Sequence, residues 1–256
     1  MAAPATITVT LPQIAKAIDH SLLHPAQTDS QIFSGLEAAK RLGVAAACRH
    51  ANLADSDVLI CAVVGFPHGS STTRTKVLEA EEAVWRGGAH EVDVVINVGK
   101  VLGGDWERAT NEIRAVNDAV VKRGAALKAI FETDLLNEEH IVHLCKVCSV
   151  IPAAFIKTST GFGFVRQPDG FYASRGATVP HIQLMKANVA PNVLVKAAGG
   201  IRTLDDLLLA MAAGASRIGA SATETILEEA VALGIGTVPV EIRLSSLFTY
   251  LYLPRF

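Results

Sequence analysis

A chain of 256 residues, half of them apolar and 19% charged, has room for one large aliphatic core. A net charge of −2, with no basic run, argues against nucleic acid as a partner. No apolar stretch reaches the roughly 18 residues that cross a bilayer, residues 1–10 carry no secretion signal, and four cysteines are too few for a disulfide scaffold. A cytoplasmic protein without a membrane partner is therefore expected.

Short β-branched runs alternate with longer amphipathic segments. In chain order the strands are expected at 17–23, 44–48, 59–66, 91–97, 127–132, 154–158, 193–197 and 217–220. Helices are expected between them at 29–42, 72–86, 105–122, 137–149, 178–187, 204–213 and 222–232. Gly43, Gly87, Gly124 and Gly214 follow four of these segments, where a left-handed residue closes a helix. Continuous apolar strands, each followed by a helix, imply a parallel sheet covered on its outer face. Eight such units predict an α/β fold, a single (β/α)8 TIM barrel spanning 1–256 as one domain. Residues 1–10 are expected to be a flexible terminus. Residues 233–256 form an apolar, aromatic extension that would pack on the barrel or at the interface of a homodimer.

Two lysines interrupt apolar strands. Lys157 follows Ala153-Ala154-Phe155-Ile156, and Lys196 follows Val193-Leu194-Val195. Burying an ammonium costs several kcal/mol unless it is paired or loses its proton. A neutral lysine amine is a nucleophile for carbonyl carbon, and a neighbouring cation favours that neutral form. The bland alternative is a strand-end lysine whose stem reaches water. In a barrel, chemistry sits at the C-terminal ends of the strands, which would gather Asp93, Asn97, Glu132, Lys157, Lys196 and Ser221. The sixth and seventh strands are neighbours, so Lys157 and Lys196 can meet, with Asp93 two strands away.

Glycine turns follow the later strands: Gly161-Phe162-Gly163, Gly199-Gly200 and Gly219-Ala220-Ser221. Backbone N–H groups at such turns suit a phosphate. His140, His143, Cys145 and Cys148 offer zinc-ligand types, but on one helix the histidines point well away from the cysteines. Structural cysteines are expected there, and neither metal nor cofactor is called for.

These residues resemble the deoxyribose-phosphate aldolase family. The resemblance rests on Ile18-Asp19-His20-Ser21-Leu22-Leu23, Val64-Gly65-Phe66-Pro67-His68-Gly69, Glu91-Val92-Asp93-Val94-Val95, Phe155-Ile156-Lys157-Thr158-Ser159-Thr160-Gly161, Val195-Lys196-Ala197-Ala198-Gly199-Gly200-Ile201-Arg202 and Arg217-Ile218-Gly219-Ala220-Ser221. It implies a metal-independent Schiff-base aldolase, a lyase that cleaves 2-deoxy-D-ribose 5-phosphate reversibly to D-glyceraldehyde 3-phosphate and acetaldehyde. Lys157 matches the Schiff-base lysine, Lys196 the lysine that lowers its pKa, and Asp93 the acid/base carboxylate. Ser21, Cys48, Thr160, Gly161, Gly199, Gly200, Gly219 and Ser221 would contact the phosphorylated sugar. An aldolase for another phosphorylated sugar and a non-catalytic binding barrel are the alternatives. Departures from the family pattern are Ser21 in place of threonine, Arg49-His50-Ala51-Asn52 in the second loop, Ala222 in place of serine, and an insertion at 164–174. Arg166, Tyr172 and Arg175 on that insertion could form a lid. Tyr250 and Tyr252 are expected to pack.

Overall fold

Eight parallel strands close a barrel in the order β2 (Ile18–Leu22), β3 (Ala46–Arg49), β4 (Leu59–Val64), β5 (Glu91–Val95), β6 (Ala126–Ile130), β7 (Phe155–Lys157), β10 (Leu194–Ala198) and β11 (Arg217–Ala220), the last pairing back to β2. The structure is a computed structural model that describes residues 6–49, 58–166 and 169–244. All eight strands predicted from the sequence are present, each within a few residues of its expected bounds.

Alternation along the strands separates two apolar sets. On β4, Ile60, Ala62 and Val64 face outward into the large core between sheet and helices. Cys61 and Val63 face the lumen, where they join Leu23, Ala46 and Cys48. The outer layer comprises α2 (Asp29–Leu42), α3 (Thr73–Trp85), α5 (Trp106–Val121), α6 (Glu138–Val150), α7 (Val179–Asn188), α8 (Leu204–Ala212) and α9 (Thr223–Ala232). On α5 the buried residues Ala109, Ile113, Val116 and Val120 recur every three or four positions, the spacing of one helical face. Thr28, Thr72, Asp105, Asn137, Thr178 and Thr203 each accept a first-turn N–H, so these helices begin where the side chain replaces a missing backbone acceptor.

Four features differ from expectation. Residues 6–9 are a strand, β1 (Thr6–Val9), paired antiparallel with β12 (Val240–Arg243). Val9 is buried and Ile7 packs against the core, so this part of the N-terminal segment is held. Its partner lies more than two hundred residues away, and no local turn signals the pairing. Two short helices were not anticipated: α1 (Leu11–Ala17), with a Thr10–Gln13 capping box, and α4 (Val98–Leu102), capped by Asn97. The insertion at 164–174 contains a small hairpin, β8 (Val165–Arg166) with β9 (Tyr172–Ala173). Finally, Gly88 and not Gly87 is left-handed after α3, at φ +62°, whereas Gly43, Gly124 and Gly214 adopt the expected conformation. His50, Ala51, Asn52, Tyr250 and Tyr252 lie outside the described residues.

No helix among the described residues is long and apolar enough to cross a membrane. His143 stacks on Trp106 with ring centroids 3.8 Å apart, while Cys145 and Cys148 are fully buried on the other side of α6. Burial pushes the Cys145 thiol up to about 12. The four residues do not converge on one point.

Candidate active site

Strand register delivers three chemical groups to one place in the lumen. Lys196 on β10 is the direct partner of Lys157 on β7, and Asp93 on β5 is flanked by Lys128 on β6. Asp93 Oδ2 accepts a hydrogen bond from Lys157 Nζ at 2.8 Å and another from Lys196 Nζ at 2.8 Å. All three side chains are buried. The bland reading of the lysines as solvent-seeking is therefore set aside.

Beneath them lies an ionic layer to which the sequence reading assigned no role. Asp19 on β2 meets Lys196 at 2.5 Å, Lys128 at 2.9 Å and Arg217 at 2.5 Å. Glu91 pairs with Lys128 and, at 3.3 Å, with Arg217. Lys128 also lies 3.6 Å from the second oxygen of Asp93. Period-two alternation could have found them, since Asp19, Glu91 and Arg217 each stand two residues before an inward-facing site position. Gly219 faces inward too, but it borders Lys196: a Cβ there would lie 3.5 Å from Lys196 Cε and 2.9 Å from Ala198 Cβ. The lack of a side chain at Gly219 leaves room for the lysine stem.

The field in this cluster has a definite direction. Burial alone would push Lys196 down, but Asp19 and Asp93 outweigh it and hold the ammonium well above its ordinary value. Burial would likewise raise Asp93, yet Lys157, Lys196 and Lys128 hold it well below the usual carboxylate range. Asp19 is lowered by Lys196, Lys128 and Arg217, and Lys128 is raised by Cys61, Asp19 and Asp93, again against burial. Four basic groups (Lys128, Lys157, Lys196, Arg217) face three carboxylates (Asp19, Glu91, Asp93), an excess of one positive charge. Lys128, Lys196 and Arg217 each contact at least two carboxylates. Lys157 contacts only Asp93, which it shares. Among the described residues Lys157 is therefore the basic group of the cluster with the fewest carboxylate partners.

The loops above the lysines are organised by a second pair of carboxylates. Glu132, at φ +58°, precedes the 3₁₀ turn Thr133–Leu135. It accepts from the Thr160 hydroxyl at 2.5 Å and from the Thr160 N–H at 3.2 Å. Asp134 accepts from Ser174 Oγ at 3.1 Å and from the N–H groups of Arg175 and Gly176 at 2.7 and 3.0 Å. Thr160 is thus tied to the loop through both its hydroxyl and its N–H. Glu132 and Asn97, expected at the C-terminal ends of the strands, support this loop and cap α4 respectively. Glu132→Ala should destabilise the fold by about 1–3 kcal/mol, because a buried hydroxyl and N–H lose their acceptor. Urea denaturation measures this, and a midpoint equal to wild type would deny the loop its dependence on Glu132.

Glycine allows the loops to interlock. Gly161, Gly199 and Gly176 meet backbone to backbone: a Cβ on Gly199 would lie 3.0 Å from Gly176 Cα and 2.5 Å from Ser159 Oγ. Gly199 and Gly200 are both left-handed, at φ +94° and +80°. Ser221 is exposed at the start of α9, whose N-cap, Ala222, provides no side-chain acceptor. Ser21 is half-buried on β2, in register with Cys48 on β3. Opposite the lysines, Leu23, Cys48 and Val63 form an apolar wall against which Phe66 and Phe162 pack. The two phenylalanine rings meet edge to face at 5.5 Å.

The fold and site together define a closed barrel in whose lumen two amines share one carboxylate. Comparison with known proteins places it more narrowly. Residues 14–236 match the DeoC/LacD family aldolase model. A deoxyribose-phosphate aldolase of Rhodopirellula baltica is 40% identical, over 85% of this chain and 89% of its own length. One from Caldanaerobacter subterraneus subsp. tengcongensis is 41% identical, over 88% and 97%. A crystal structure from Coccidioides immitis, provisionally described as a deoxyribose-phosphate aldolase, superposes with a TM-score of 0.79 at 34% identity, covering 88% of each chain. The chain belongs to the DeoC/LacD aldolase family, a group of carbon–carbon lyases.

Proposed function

We propose that the chain cleaves 2-deoxy-D-ribose 5-phosphate to D-glyceraldehyde 3-phosphate and acetaldehyde, reversibly, through a Schiff base on Lys157. One observation carries this reading: Lys157 shares a single carboxylate with a lysine whose charge is secured elsewhere.

Unprotonated, Lys157 adds to the aldehyde carbon of the open-chain sugar, and loss of water gives an iminium. The positive nitrogen accepts the electron pair of the breaking C–C bond once the sugar's C3 hydroxyl loses its proton, so no metal is needed as electron sink. Glyceraldehyde 3-phosphate leaves, and the remaining two-carbon enamine is protonated and hydrolysed. Asp93 Oδ2, within hydrogen-bond reach of both amines, moves protons between them and the carbinolamine, directly or through a water. The wall of Leu23, Val63, Phe66 and Phe162 would shield the small enamine from bulk water. The left-handed glycines at 199 and 200, with Gly161, Ser21 and the exposed Ser221 beside the uncapped start of α9, are the proposed cradle for the 5-phosphate.

Phosphorylated and unphosphorylated 2-deoxyribose test this arrangement. Binding energy from a remote phosphate aligns the reacting carbonyl, so the free sugar should lose kcat as well as KM. Inorganic phosphate should compete with the phosphorylated sugar only. Equal kcat/KM for the two sugars would remove the phosphate from this site.

A further inference from the structure

We infer that Cys48 and Cys61 form a thiol pair that closes to a disulfide under peroxide and reversibly stops turnover at Asp93. The two residues are direct register partners on the neighbouring strands β3 and β4. Strand neighbours lie about 4.8 Å apart, inside the Cα range that a disulfide spans. Both side chains point into the lumen, and the sulfurs are already 3.4 Å apart. Cys61 Sγ is also 3.0 Å from Asp93 Oδ1, and Cys48 Sγ 3.8 Å from Asp93 Oδ2.

Burial usually makes a thiol inert, as it does for Cys145 and Cys148 within α6. The lumen pair differs in two ways. Any substrate that reaches Lys157 comes within one hydrogen bond of Asp93 Oδ2, and Cys48 borders that same oxygen. A hydrogen peroxide molecule, smaller than the sugar, can take the same route. The surroundings also lower the Cys48 thiol: its hydrogen bond with Cys61 acts against burial, and Lys196 and Lys157 act in the same sense, opposed by Asp93. Burial holds Cys61 well up, so it keeps its proton until the second step. Cys48 is thus the attacking thiol and Cys61 the resolving one.

The chemistry balances with peroxide as the oxidant. The Cys48 thiolate attacks one peroxide oxygen, the O–O bond breaks, and hydroxide leaves behind a sulfenic acid. Cys61 sulfur then attacks the sulfenic sulfur, the S–O bond breaks, and the Cys61 proton leaves with the oxygen as water. The two cysteines lose two electrons, and the peroxide becomes two waters once the first hydroxide takes up the Cys48 proton. The new bond turns Cys61 away from Asp93 Oδ1, depriving the shared carboxylate of a hydrogen bond and altering its position between the lysines. A change of that kind should lower aldol cleavage about tenfold or more. Formation of the bond does not depend on the proposed function, whereas the loss of turnover rests on it.

The full-length protein, treated with a few equivalents of hydrogen peroxide, should lose the mass of two hydrogens. A peptide pair bridging Cys48 to Cys61 should appear at the rate at which cleavage of 2-deoxyribose 5-phosphate falls, and dithiothreitol should restore both. Cys61→Ser should instead gain oxygen at Cys48 without any bridge, and dithiothreitol should no longer rescue extensively oxidised protein. A Cys145→Ala/Cys148→Ala variant should still form the bridge. Inactivation without a Cys48–Cys61 peptide would overturn the pair, and a quantitative bridge with undiminished cleavage would overturn its control of Asp93. If no sugar is cleaved before oxidation, the mapped bridge alone decides the thiol chemistry and the proposed function fails separately.

Discussion

Lys157→Ala should abolish borohydride trapping of the sugar and lower cleavage by roughly 10⁴-fold or more, as expected when the nucleophile itself is removed. Intact mass after incubation with 2-deoxyribose 5-phosphate and borohydride reads the adduct directly. Lys196→Ala should behave differently. Without that ammonium, Lys157 loses the neighbouring cation that disfavours a charged amine beside it. The variant should therefore trap weakly and only at higher pH, its rate profile displaced upward. An adduct mapped to Lys196 in the wild-type protein would exchange the two roles.

The second large effect concerns stability. Lys128 is fully buried and sits among Asp19, Glu91 and Asp93. Lys128→Met keeps the stem and removes the charge, leaving those carboxylates short of a counter-ion. Breaking a buried network from one side costs about 3–5 kcal/mol. Urea unfolding with an unchanged m-value should show it. The pH dependence has a worked sign. Asp19 and Asp93 are depressed in the fold, so their contribution is complete above the unfolded value of about 3.9 and is lost as pH falls through the folded values. Lys128 and Lys196 are raised, so theirs is complete below about 10.4 and is lost as pH rises through the folded values. Wild-type stability should be level between these limits on account of this cluster. A Lys128→Met loss smaller than about 1 kcal/mol would mean that the network contributes little.

Much of this architecture was legible in the residues. The barrel strands announced themselves because both faces are buried, which leaves apolar runs that differ from the amphipathic helices in period. Lys157, Lys196 and Asp93 stood out for the complementary reason, as charges inside such runs. Asp19, Glu91, Lys128 and Arg217 were harder to assign, since their meaning lies in closure. The β11–β2 pairing that brings Asp19 to Arg217 and Lys196 joins segments almost two hundred residues apart. Thr160 and Gly219, named as sugar contacts on the family resemblance, also border Glu132 and the Lys196 stem, neighbours that no local pattern shows. The β1–β12 ribbon escaped for want of a local signal, its two strands lying at opposite ends of the chain.

The two carboxylates flanking Thr133 carry a consequence for redesign. Glu132 grips the chain as it leaves β7, and Asp134 grips it again at Ser174–Gly176. The intervening excursion is tied down at both feet by a turn outside it, and the glycine contacts with Gly199 lie at those feet. Shortening, lengthening or exchanging the β8–β9 hairpin should therefore leave both sockets in place.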